Sequence, residues 1–146
     1  MINCENKYCE EDIPDNDSLY RRASFITFNQ KTGKFTASAF KLKDFELNGK
    51  IKKCFSANWS RYSTPEETSI DPKYKKKYCV GEFKAIIPRK IDLDVSHTPS
   101  NHNRSHCTIS QEKLLEDIEI YRAESFIAEN CIPKYFPNEI IKGEFI

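Results

Sequence analysis

From Leu19 to Val95 the sequence is a series of short strand-like runs, each bounded by turn residues, and a single long helical pattern follows only at 111–131. That arrangement confines the chain to a sheet built from short strands with helix added late. LYRRASFITF (19–28) and FTASAFKL (35–42) flank a turn at Gly33 and read as an antiparallel pair. Asn48-Gly49, a strong turn dipeptide, precedes CFSANW (54–59), a third strand ending at the only tryptophan. YCVGEFKAIIP (78–88) and RKIDLDV (89–95) follow, the second placing Ile91, Leu93 and Val95 on one face. SHCTI (105–109) is a further short strand, and EIIKGEFI (139–146) reads as a last strand or docking tail.

Two helices have signatures of their own. Thr64 precedes Pro65 and stands three residues before Glu67, a capping box for a short helix near 65–70. Ser110 precedes QEKLLEDIEIYRAESFIAENC (111–131), whose apolar positions 114, 118 and 121, then 123, 127 and 131, keep helical spacing with a shift near Arg122. That helix is expected on a sheet face, with Glu112, Glu116, Glu119 and Glu129 toward water. The expected fold is therefore α+β: a mixed, mostly antiparallel sheet of five to seven short strands, with one long C-terminal helix packed on one face.

At 146 residues the chain fits a single domain. Residues 1–17 read as an acidic tail or irregular edge segment, and 18–146 as the α+β domain. The six cysteines, at 4, 9, 54, 79, 107 and 131, form no C-x-x-C pair and read as reduced thiols in a cytoplasm. The acidic start lacks a signal-peptide pattern, and no apolar run is long enough to span a bilayer, so a cytoplasmic protein without a membrane partner is expected. The net charge of +1 conceals a division: −5 over residues 1–17, +10 over 18–110 and −4 over 111–146. A basic body calls for an anionic partner such as nucleic acid, nucleotide or phosphate; the alternative is that the acidic ends fold back and neutralise it.

All three histidines, His97, His102 and His106, fall in DVSHTPSNHNRSHCTI (94–109). In this polar loop they are candidates for general acid/base catalysis near neutral pH, and no metal or other cofactor is assigned to them. On a strand His106 and Thr108 share a face, with Cys107 opposite, and can jointly hold a phosphate. Arg21, Arg22, Arg61 and Arg104 are candidate anion anchors. Basic and aromatic residues interleave in the middle of the chain, so Lys75, Lys76 and Lys77 are candidates to contact phosphates while Trp59 and Tyr62 stack on bases.

Three resemblances accompany these residues. His106-Cys107-Thr108-Ile109 resembles one motif of the two-histidine phosphoesterases, but His97-Thr98 lies nine residues away, where that family puts its second motif in a separate half of the fold. Tyr20-Arg21-Arg22, Ser56-Ala57-Asn58-Trp59, Arg61-Tyr62-Ser63 and Glu66-Glu67 resemble the layout of ADP-ribosyltransferase-like and RES-type NAD-cleaving domains. That likeness implies an arginine gripping a pyrophosphate and a glutamate polarising a ribose, although the glycine-rich element around the tryptophan is missing. The order LYRR, SAFK, FSANW, TPEET, VGEFKA, HTPSNHNRSH is similar to small uncharacterised bacterial single-domain proteins, which implies a prokaryotic origin and no particular activity.

The expected function is binding or processing of a nucleic acid or nucleotide phosphate, in a toxin–antitoxin or phage-defence setting. Two alternatives stand beside it: a non-catalytic protein–protein interaction module, such as an immunity or accessory subunit, and an NAD-cleaving domain. No complete catalytic motif decides whether the chain is an enzyme.

Overall fold

A computed structural model describes residues 9–47 and 49–137, excluding the Leu47 side chain. Cys4, Asn48 and the expected strand at 139–146 lie outside the described residues. The architecture is α+β, with a seven-stranded sheet in which all the recorded pairings are antiparallel. Its strands are β1 (Ser18–Ala23), β4 (Lys43–Leu47), β5 (Lys50–Trp59), β6 (Cys79–Lys84), β7 (Leu93–His97), β8 (His106–Gln111) and β9 (Ile132–Tyr135). The spatial order is β7-β8-β5-β1-β6-β9, with β4 also on β5. The small hairpin of β2 (Phe28–Asn29) and β3 (Lys34–Phe35) stands apart from it.

β5 is the hub. Its ten residues serve three neighbours: Cys54 pairs with both Lys43 of β4 and Ser110 of β8, and Asn58 with both Tyr20 of β1 and His106 of β8. β4 and β1 therefore share the edge of β5 opposite β8, separated by an unpaired gap at residues 55–57. Gly49, at a φ of +79°, makes the tight turn between β4 and β5.

Strand alternation gives the sheet an apolar and a polar face. Leu19, Phe55, Trp59, Phe83, Leu93, Val95 and Ile109 lie on the buried side. Phe40, in a 3-10 turn at Ala37–Phe40, joins Phe55 and Phe83 in an aromatic cluster with centroids 5.8–6.1 Å apart. The other face carries Ser96, Thr108, His106, Ser56, Asn58, Tyr20 and Arg22.

Three α-helices occur among the described residues: α1 (Pro65–Ser69), α2 (Ile86–Arg89) and α3 (Asp117–Glu129). Thr64 caps α1 as expected, its hydroxyl accepting from the Glu67 N–H at 3.1 Å. Several boundaries differ from the sequence reading. The 35–42 run is mostly the 3-10 turn, and only Phe28↔Phe35 and Asn29↔Lys34 of the expected hairpin pair. The long helix begins at Asp117 and not at 111, because Ser110 and Gln111 remain in β8, paired with Asp94 and Leu93. Glu116 caps it instead, in a reciprocal box with Glu119. Its buried residues are Ile120, Ala123, Glu124, Ile127 and Ala128, whereas Leu114, Ile118 and Tyr121 are exposed. The helix meets chiefly the Ala37–Phe40 turn, along with β3 and α2.

The acidic segment at 9–17 runs irregularly along one end of the sheet. Ile13 is buried, Asp15 pairs with Arg89 at 2.7 Å, and Asp17 accepts from the Trp59 indole N–H at 2.9 Å. Among the described residues no helix is long and apolar enough to cross a membrane.

Candidate functional site

The alternation of SHCTI and CFSANW puts His106 and Thr108 beside Asn58 and Ser56 on the polar face, because the β5–β8 register sets Ser56 opposite Thr108 and Asn58 opposite His106. The His106 ring is held from β7's end. Its Nδ1 lies 2.8 Å from the Thr98 hydroxyl and 3.1 Å from the Thr98 carbonyl, and the Thr98 hydroxyl is 2.8 Å from that of Thr108. Either tautomer of the ring thus has a partner: Nδ1–H donates to the carbonyl, or Nδ1 accepts from the hydroxyl. Nε2 makes no hydrogen bond among the described residues. Burial holds the imidazole below its ordinary 6.5, with the Thr98 carbonyl opposing the shift, so the ring is uncharged at neutral pH.

Arg21 belongs by alternation to the buried face, opposite Gly81, but its side chain fills the gap between β1 and β4. There Nε donates to the Ala39 carbonyl at 2.9 Å and Nη1 to that of Ser56 at 2.8 Å, with the guanidinium carbon 5.0 Å from the Phe55 ring centre. Nη2 has no partner among the described residues. Burial, and secondarily the charge of Arg22, push Arg21 down to about 10. It remains a cation at neutral pH, and among the described residues its acceptors are neutral carbonyls. Buried charges are ordinarily paired, and among the described residues no carboxylate pairs with this one.

Two cavities meet along this gap, sharing Arg21, Ser56 and His106. One, of about 320 Å³, extends to Lys41, Lys43, Phe45 and Cys54 on the β4 side. The other, of about 80 Å³, extends to Tyr20, Arg22, Asn58, Thr68 and Asn103. Arg22 also donates to the Ile70 carbonyl at 2.7 Å.

The remaining histidines lie elsewhere. His97 pairs with Cys107 and so faces the buried side. Its Nδ1 accepts from the Glu11 N–H at 3.0 Å, its Nε2–H donates to the Arg104 carbonyl at 2.7 Å, and Trp59 packs edge-on against it. With both nitrogens engaged and 2% of its surface exposed, His97 ties the N-terminal segment to the sheet. His102 is exposed and lines a different cavity, of about 380 Å³, with Arg22, Tyr62 and Glu67. Among the described residues no three His, Cys, Asp or Glu side chains group to hold a metal ion.

The other candidates divide in the same way. Arg61 and Arg104 flank Glu11 at 3.6 and 4.0 Å, and both guanidinium groups approach the ring of Tyr62. The Tyr62 hydroxyl donates to Glu11, which lowers the carboxyl and raises the phenol relative to their ordinary values. At this end of the sheet the acidic segment does fold onto the basic body. Trp59 is fully buried with its N–H committed to Asp17, so its ring offers no face to a base. Lys75, Lys76 and Lys77 are exposed in the loop after α1, with Lys76 over the Tyr78 ring.

Asn58 and Thr98 enter the sequence analysis only within motif resemblances, and Lys41, Lys43 and Phe45 are not among its candidates. For Asn58 a further signal is the alternation in CFSANW; the proximity of the others depends on the β4–β5 pairing and the turn after β7. No protein-family model, curated protein or solved structure matches the chain significantly.

Proposed function

We propose that the polar-face groove binds a phosphate-bearing ligand, a nucleotide or a nucleic-acid strand, and that His106 supplies acid/base chemistry there. The observation that carries this reading is the Arg21 guanidinium, which has no acidic partner among the described residues and lines the same two cavities as His106, whose Nε2 makes no hydrogen bond among those residues. Arg21 Nη2 and Arg22 supply charge-assisted hydrogen bonds to phosphate oxygens. In the tautomer with Nδ1–H on the Thr98 carbonyl, Nε2 accepts a proton; in the other, Nε2–H donates. Lys41 and Lys43 extend the positive potential along the β4 side.

The test is a titration of the protein with single- and double-stranded RNA and DNA and with mononucleotides over a range of salt, repeated with His106→Ala. Affinity that falls steeply with salt supports the phosphate site, and turnover lost in a folded His106→Ala protein supports the acid/base role. Absence of binding at low salt overturns the reading.

The NAD-cleaving reading has one observation in its favour: Arg22 and Glu67 line one cavity. Against it, Glu67 accepts a hydrogen bond from the Thr64 hydroxyl at 3.1 Å in the α1 cap. NAD left intact by a long incubation at high protein concentration removes this alternative.

A further inference from the structure

The two cavities that meet at Arg21 and His106 differ in size and in chemistry. The smaller has no carboxylate among the described residues of its lining and is bounded chiefly by polar or cationic groups: Arg21, Arg22, Tyr20, Asn58 and His106. At about 80 Å³ it has room for a group of a few heavy atoms. The larger, about 320 Å³, lies at the lower end of the range for small-molecule sites and has an aromatic wall. Phe45 stands there with 61% of its surface exposed, on the same face of the β4–β5 pair as Lys43 and Cys54. An exposed phenylalanine beside lysines on an open strand edge offers a planar surface to an uncharged ring.

A hydrogen-bonded chain joins three residues of the smaller cavity's lining. Asn103 Nδ2 donates to Asn58 Oδ1 at 2.9 Å, and Asn58 Nδ2 donates to the Thr68 hydroxyl at 3.1 Å. This chain ties the turn at 100–103 and helix α1 to the sheet. A ligand that continued past the phosphate through this chain would have to break it. A terminal phosphate would not.

Resting on the phosphate reading of the groove, we propose that its ligand is a free nucleoside monophosphate, with the phosphate in the small cavity between Arg21, Arg22 and His106 and the base against Phe45. The monoester's two charges meet two guanidinium groups, and the Nε2–H tautomer of His106, stabilised by the Thr98 hydroxyl, donates to a third oxygen. The sugar bridges the two cavities over Ser56 and Thr108.

The experiment is calorimetric titration of the full chain at low salt with nucleoside monophosphates, the corresponding nucleosides, inorganic phosphate, and short oligonucleotides with and without a 5′-phosphate. Wild type is compared with Phe45→Ala, a substitution at an exposed position, and circular dichroism checks that the fold is kept. The expected result is that a monophosphate binds at least tenfold more tightly than its nucleoside. Phe45→Ala is expected to weaken the monophosphate roughly tenfold, as loss of one aromatic stack does, while leaving inorganic phosphate unchanged. An oligonucleotide without a terminal phosphate that binds as tightly as the monophosphate overturns this inference and leaves the phosphate groove standing. Equal monophosphate affinity in wild type and Phe45→Ala also overturns it. No binding by any phosphate compound overturns both readings.

Discussion

Replacing Arg21 with methionine separates the demands of folding from those of ligand binding. A guanidinium held at about 10 in place of its ordinary 12.5 has lost about 3 kcal/mol of preference for the charged form. Because the folded state binds this proton less tightly than the unfolded chain, the penalty is fully present at neutral pH. It is relieved only as pH rises from about 10 toward 12.5. Methionine removes that penalty and keeps an apolar stem against Phe55. It also deletes donors to the Ala39 and Ser56 carbonyls, each hydrogen bond from a charged group being worth about 1.5–3 kcal/mol. The two effects have opposite signs and the gain offsets much of the loss, so Arg21→Met is expected to lower stability by no more than about 3 kcal/mol in urea denaturation. Phosphate affinity should fall about tenfold to a hundredfold by calorimetry, the loss of one charge-assisted contact. A folded Arg21→Met protein with undiminished phosphate affinity refutes the assignment of Arg21 as an anion anchor. Destabilisation beyond about 4 kcal/mol shows instead that the side chain is mainly a strut between β1 and β4.

The core and the site give further expectations. A Cβ at Gly81 would stand 2.4 Å from Cys131 Sγ and 3.2 Å from the Phe35 ring, so Gly81→Ala should lower stability by about 1–3 kcal/mol, with partial recovery on adding Cys131→Ala, both measured by urea midpoint. Glu124→Ala should cost about 1–3 kcal/mol, because the buried carboxylate accepts the Leu42 N–H at 2.8 Å, while Glu124→Gln, which keeps an acceptor, should cost less. Burial lowers the His106 imidazole, so the unfolded chain takes up that proton first. Wild type should therefore lose stability relative to His106→Gln as pH falls from 6.5 through the lowered value; a difference that is constant across that window contradicts the burial argument. Cys107 and Cys131, pushed up to about 12 by burial, should resist alkylation at pH 8 in the folded protein and react once urea unfolds it.

Local chemistry was legible in the sequence wherever a short-range rule decides the outcome. The Thr64 cap needs only Pro65 and Glu67 nearby, and the shared face of His106 and Thr108 follows from the two-residue period of any strand. The α+β class and the mostly antiparallel sheet followed in the same way from short runs broken by turns. Nothing local fixed the helix start, however: Ser110 is a competent cap in isolation, but pairing with Cys54 and Asp94 keeps it in β8.

The groove was decided by tertiary structure alone. Arg21 looks like any strand arginine until β4 and β1 are seen to share one edge of β5 and leave a gap that its side chain fills. Likewise, the clustering of three histidines in ten residues implied one site, yet the β7–β8 register sets His97 opposite Cys107, on the face away from His106. A shift of one residue in that register would have turned His97 over. Sequence determined which residues alternate together, because that depends on backbone geometry within a strand; the pairing of distant strands decided which of those faces meet and which charge, among the described residues, has no acidic partner.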